Sequence, residues 1–171
     1  MTAISATSLI DADLTVRAMS MDARIALADE VFMQQPNLLA SVLVQQRMGA
    51  TMQQVEVLVN IMLVAYQAMK TSGHRWPVIS EATQEQCLQR LTARFAFTEG
   101  LGPDLRQRVV DEWINAHSER YLLAFVYGTV RENDLLGVRT DAEKYLLLAA
   151  LNMVECIAAT AFQQTEEPTP R

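Results

Sequence analysis

The sequence predicts an all-α protein, a single-domain bundle of about six helices with two central apolar helices at about 51–71 and 140–164. Three observations predict this class. First, apolar residues recur at every third or fourth position. Second, Pro, Gly, Ser and Thr occur where the predicted helices begin or end. Third, no segment shows the alternation of apolar and polar residues that is typical of a strand. The length of 171 residues suits one domain over 1–171. We expect flexible tails at about 1–18 and 165–171, where polar and small residues dominate.

The first two predicted helices meet at Pro36. Ser20 is a typical N-cap for the first of them. Its apolar residues form one stripe with two further residues beside it: Met21, Ile25, Ala28 and Phe32, then Leu27 and Val31. Pro36 suits the first turn of the second helix, which we expect to end near Met48, before Gly49.

The third and fourth predicted helices flank the clearest loop in the chain. The third begins after Thr51 and runs to about Thr71. The loop Gly73–Ile79 follows, and Ser80 is the predicted N-cap of the fourth helix. The apolar face of the fourth helix consists of Cys87, Leu88, Leu91 and Phe95.

Pro103 opens the fifth predicted helix, in the first turn where proline is tolerated. A four-residue step leads from Leu105 to Phe125, so this segment is one long helix or two with a kink near Ser118. The segment Thr140-Asp-Ala-Glu143 has the pattern of a capping box and starts the last helix, which runs to about Gln164.

Composition excludes several classes of protein. Half of the residues are hydrophobic, which argues against disorder, and the net charge of −6 argues against nucleic-acid binding. The most apolar segments, Val55–Met69 and Tyr145–Ile157, are shorter than the roughly 20 residues of a membrane span, so we expect no membrane contact. Cys87 and Cys156 form no metal motif, and we expect them to be reduced in a cytoplasmic protein, with a disulfide between them as the alternative.

No motif predicts catalysis, a cofactor or a metal. There is no glycine-rich phosphate loop, and His74 and His117 have no carboxylate or second histidine at ligand spacing. We therefore expect no catalytic residues, no cofactor and no metal ligands.

The loop residues His74, Arg75 and Trp76 are one candidate binding site. An exposed tryptophan beside an arginine can anchor a partner. In the alternative interpretation, Trp76 seals the bundle while His74 and Arg75 face water.

Four polar residues in the two central helices are a candidate pocket. Glu56 and Asn60 share one helix face, and Asn152 and Glu155 share another. The alternative is that each pair belongs to a narrow solvated stripe on an otherwise buried helix.

We expect a non-enzymatic helical protein-interaction domain that associates with itself as a homodimer. Binding of a further protein partner is a second outcome that the sequence leaves open. The segment Tyr145–Leu151 is apolar on all sides, so its helix must be surrounded, and a two-fold partner is a common way to provide that cover. The alternative is a helical sensor that binds an apolar small molecule between its helices.

Overall fold

The computed structural model describes residues 2–163, with side chains to residue 161. The described residues are 78% helical and contain no strand, which confirms the all-α class. These residues form eight helices: α1 (Ala6–Ala18), α2 (Met21–Gln34), α3 (Pro36–Arg47), α4 (Met52–Thr71), α5 (Glu81–Thr98), α6 (Pro103–Ala116), α7 (Arg120–Glu132) and α8 (Asp141–Gln163).

Side-chain caps begin three helices at the residues that the sequence indicates. Ser20, Thr51 and Ser80 each accept a hydrogen bond from the backbone N–H three residues later, at 3.1 to 3.2 Å. Thr51 completes a capping box, because the Gln54 amide oxygen accepts the Thr51 N–H at 2.9 Å. These bonds satisfy helix N–H groups that have no partner within the helix.

The capping box predicted at Thr140 forms only in part. Thr140 Oγ1 accepts the Glu143 N–H at 3.2 Å. The Glu143 carboxylate, however, accepts the Arg139 backbone N–H at 2.7 Å and the Arg139 guanidinium at 3.0 Å. These bonds from Arg139 lower the pKa of Glu143. The carboxylate therefore fixes the turn before α8 through Arg139.

Two long helices, α4 and α8, contact most of the others. Helix α4 packs against α1, α2, α3, α7 and α8, and α8 also packs against α3, α5 and α7. Their buried side chains form the centre of the core, with Leu58, Met62 and Leu63 from α4 and Leu146 and Ile157 from α8 among the residues below 3% exposure.

The apolar segment Tyr145–Leu151 is surrounded by helices of its own chain. Leu146 and Leu151 are buried, Leu147 and Leu148 are half-buried against the core, and only Tyr145 is exposed. The segment therefore has its cover without a second subunit. The longer stretch Asp141–Ala161 has the length and composition of a membrane span, and 56% of its most apolar window is buried within the fold.

Residues 1–18, predicted to be a flexible tail, contain helix α1. Ser5 caps it by accepting the Ser8 N–H at 3.1 Å, and Leu9, Ala12 and Val16 are buried against α4 and α7. This side of α1 is apolar at helical spacing, which the Ser, Thr and Ala residues around it conceal in the sequence. The second predicted tail, 165–171, lies outside the described residues.

The four-residue step from Leu105 to Phe125 belongs to two helices, which is one of the two predicted outcomes. Helix α6 ends before His117, whose backbone is extended, and α7 begins at Arg120. At the break, Glu119 is buried, and its carboxylate accepts the N–H groups of Ala3 at 2.7 Å and Ile4 at 3.1 Å. The break therefore provides the acceptor that fastens the N-terminus. Together, α1 and this break raise the helix count from about six to eight.

Candidate interaction surface

The predicted loop forms the connection between α4 and α5, and its tryptophan turns back towards α4. Trp76 is half-buried, and its Nε1 donates to the Met69 carbonyl at 3.2 Å and to Ser72 Oγ at 3.3 Å. His74 and Arg75 are exposed. The ring packs against the core, so its position agrees with the interpretation in which Trp76 seals the bundle.

Gln35, which the sequence analysis did not single out, holds the loop in place. Its side chain is buried at the junction of α2 and α3, with Nε2 donating to the Pro77 carbonyl at 2.8 Å and Oε1 accepting the Ile79 N–H at 2.9 Å. Asn37 Nδ2 adds a bond to the Ile79 carbonyl at 2.8 Å. The C-terminal end of the loop is therefore hydrogen-bonded to the junction of α2 and α3.

The three predicted binding residues line an open cleft of about 640 Å³, which we call the Trp76 cleft. Helix α2, the C-terminal part of α4 and the loop form its walls. Its lining includes two acidic and two basic residues, Asp29, Glu30, Lys70 and Arg75. Lys70 and Glu30 form an ion pair across the cleft. The formal charges of these four residues therefore balance.

The four polar residues of the predicted pocket do not meet in the described structure. Glu56 is exposed, and Asn60 accepts a hydrogen bond at 3.3 Å from Arg24 of α2. Asn152 donates to the Gln84 carbonyl at the start of α5 at 3.0 Å, whereas Glu155 lies beside His117. The α4 pair and the α8 pair therefore face different helices.

Glu155 and His117 belong to a second open cleft of about 430 Å³, which we call the His117 cleft. His117 Nε2 lies 3.4 Å from Glu155 Oε1, and Nδ1 accepts the Glu119 N–H at 3.0 Å. The neutral imidazole therefore carries its proton on Nε2, towards the carboxylate.

Two arginines, Arg90 and Arg94, line the same cleft from α5. The Arg94 guanidinium lies 5.3 Å from the centre of the Trp113 ring, within cation–π range. The two guanidinium groups favour an anion there, whereas Glu155 opposes one. Within the described residues, no three His, Cys, Asp or Glu side chains lie together as a metal site.

Helix α2 has an exposed apolar face, which is formed by the stripe identified in its sequence. Its core contacts come from Leu27 and Val31, which are 3% and 0% exposed. Three residues of the neighbouring stripe are exposed to solvent: Met21, Ile25 and Phe32 are 69%, 53% and 60% exposed. Ala28, between them on the same face, is half-buried and packs against the edge of the core. We call Met21, Ile25, Ala28 and Phe32 the α2 stripe.

Exposed apolar side chains also occur on α1 and α3, the helices that precede and follow α2 in the chain. On α1, Ile10 and Leu14 are 59% and 60% exposed, and on α3, Leu43 and Val44 are 52% and 42% exposed. Single exposed apolar residues are normal on protein surfaces, but an aligned set on one helix face is typical of a binding surface.

Comparison with known proteins identifies no relative of this chain. No protein family model matches the sequence, and no curated protein or solved structure matches it.

Proposed function

We propose that this chain is a non-enzymatic helical protein-interaction domain that associates with a second copy of itself through the α2 stripe. One observation carries the proposal, namely that three large apolar side chains, Met21, Ile25 and Phe32, are more than half exposed on one face of a helix. The burial of such a side chain contributes about 1.5 to 3 kcal/mol when it is complete, and much of that contribution is unused while the stripe faces water.

A second copy is the simplest occupant, because a two-fold axis brings the same stripe from both chains together. Closed two-fold dimers are the commonest arrangement of soluble oligomers. The proposal differs in one respect from the expectation drawn from the sequence. The apolar segment Tyr145–Leu151 is covered within its own chain, so the proposal uses the exposed stripe on α2 instead.

The sensor alternative has less support. A polar pocket between the central helices would need Glu56 and Asn60 to face Asn152 and Glu155. Asn60 contacts Arg24, and Asn152 contacts Gln84, so the two pairs lie against different helices. We therefore propose no ligand between α4 and α8.

Sedimentation equilibrium at micromolar concentration tests the proposal. The monomer mass is 19.1 kDa, and we expect twice this mass for the unmodified protein. Ile25→Glu should return the protein to the monomer mass, because an unpaired carboxylate buried in an apolar contact costs several kcal/mol.

The matched control is Leu105→Glu on α6, where the replaced leucine is 47% exposed but lies outside the stripe. We expect this variant to remain dimeric. A monomer mass for the folded unmodified protein, or dissociation by Leu105→Glu but not by Ile25→Glu, would contradict the proposal.

A further inference from the structure

The spacing of the α2 stripe matches a particular kind of helix pairing. Its residues are separated by four, three and four positions, the spacing of d, a, d and a in a heptad repeat. Met21 and Ala28 take the d positions, and Ile25 and Phe32 take the a positions. Residues at a and d form the contact seam when two helices pack along their length.

The charges on either side of this seam differ in sign. In the same register, Arg24 takes a g position on one flank, and Asp22 and Asp29 take the e positions on the other. Val31, at the other g position, is buried in the core of its own chain. One flank of the stripe therefore carries a single basic residue and the other flank carries two acidic residues.

The side chain of Arg24 is held at the edge of the stripe. Its Nη1 donates to the Val16 carbonyl at 3.4 Å, and its Nη2 donates to Asn60 Oδ1 at 3.3 Å. A guanidinium has five N–H groups, so these two long bonds leave donors for another acceptor. Asp29 is exposed on the opposite flank.

We infer that the two copies of α2 pack parallel to each other, with Arg24 of each copy facing Asp29 of the partner subunit. This inference rests on the proposed self-association. In a parallel two-fold pair, the g flank of one helix meets the e flank of the other, and the contact joins a g residue to the e residue five positions later. Arg24 and Asp29 have this separation, so the axis creates two opposite-charge contacts.

The antiparallel arrangement would bring equal flanks together. If Met21 lies opposite Phe32 of the partner subunit, Asp22 approaches Asp29 of the partner subunit. The two-fold axis repeats this contact, so the antiparallel pair contains two contacts between like charges. Like charges in contact are destabilising. The apolar seam suits either direction, and the charges on its flanks select the parallel one.

Disulfide cross-linking of Met21→Cys and Phe32→Cys tests the direction. Both replaced residues are more than half exposed, so neither change removes a buried group. A disulfide needs Cα atoms within about 7 Å. In the parallel pair, each variant should cross-link to a second copy of itself under mild oxidation. Because the two positions lie 11 residues apart, or about 16 Å along the helix, a mixture should give no cross-link between the two variants.

The unmodified protein is the control for cross-linking, since its two cysteines, Cys87 and Cys156, are buried. It should give no covalent dimer. A cross-link that forms only between the two variants would overturn the parallel direction and leave the proposed function intact. A dimer by sedimentation that gives no cross-link in any sample would overturn the α2 contact, and a monomer by sedimentation would overturn both.

Charge reversal gives a second readout with opposite signs for the two directions. In the parallel pair, Asp29→Arg should weaken the dimer roughly tenfold, because it replaces two opposite-charge contacts by two like-charge contacts. In the antiparallel pair, the same change would place an arginine against Asp22 of the partner subunit and strengthen the dimer. The matched control is Asp104→Arg at the start of α6, which should leave the dissociation constant unchanged.

Discussion

Replacing Gln35 by alanine should separate the loop from the helices that hold it. The side chain of Gln35 makes two hydrogen bonds to the loop, at 2.8 Å to the Pro77 carbonyl and 2.9 Å to the Ile79 N–H. A hydrogen bond contributes about 0.5 to 1.5 kcal/mol net, and a buried group left without a partner costs more. Gln35 is 2% exposed and Ile79 is 1% exposed, so water cannot easily replace the lost bonds. We expect Gln35→Ala to lower the free energy of unfolding by about 2 to 3 kcal/mol.

Urea unfolding followed by circular dichroism measures this loss, with all proteins at one concentration because association shifts apparent stability. The neighbouring Gln34→Ala is the matched control, since Gln34 is exposed at the end of α2. We expect this control to change the stability by less than about 0.5 kcal/mol. Equal effects of the two substitutions would refute the assignment of Gln35 as the residue that holds the loop.

Three further predictions concern other buried groups. Trp76→Phe should lower the free energy of urea unfolding by about 1 kcal/mol, because the hydrogen bond to the Met69 carbonyl is lost. Trp76→Ala should lower it by about 2 to 3 kcal/mol, because the half-buried ring is lost as well. Equal losses for the two variants would contradict the packing role of the ring. Burial raises the pKa of Glu119, so the folded state favours its protonated form. The free energy of unfolding of the unmodified protein, relative to that of Glu119→Gln, should therefore be greatest below about pH 4 and should fall as the pH rises through the raised pKa. Urea unfolding at several pH values measures this difference, and a difference that rises with pH would contradict the assignment. Burial also raises the pKa of both Cys87 and Cys156, so neither thiol should react readily with a thiol reagent until the protein is unfolded; rapid modification of the folded protein would contradict this.

The starts of several helices could be predicted from the sequence because their causes are local. Ser20, Thr51 and Ser80 cap helices through bonds that span three residues, and Pro36 and Pro103 occupy first turns. Each signal lies within the segment that it controls. The same reasoning located the loop between α4 and α5, although not the side chain of Gln35 that holds it.

Helix α1 was missed although its pattern is present. Leu9, Ala12 and Val16 are buried at helical spacing, and Ser5 caps the helix. The helix is short and mixes small and polar residues with its apolar ones, so its sequence resembles a tail. Helix α1 is held in the fold by packing on α4 and by the hydrogen bonds from the Ala3 and Ile4 N–H groups to Glu119. Glu119 lies 116 and 115 residues away from these two residues in the sequence, so a local pattern does not reveal the contact.

The exposed face of α2 could not be predicted from its own sequence. Leu27 and Val31 lie on one apolar side, and Met21, Ile25 and Phe32 lie on an adjacent side. Either side could face the core, and the choice depends on how α3 and α4 pack against the helix. The pairing of His117 with Glu155 has the same origin, since His117 lies in the break after α6 and Glu155 lies on α8, and the two segments meet only in the folded chain.

Isotope-filtered nuclear Overhauser spectroscopy on a mixture of labelled and unlabelled protein tests the central claim most directly. The method detects only contacts between copies, so it identifies the helix at the interface as well as the existence of the dimer. We predict contacts between the Ile25 methyl groups of the two copies and between their Met21 methyl groups. Contacts between copies that involve α6 or α3 but not α2, or none in a sample at the monomer mass of 19.1 kDa, would contradict the claim.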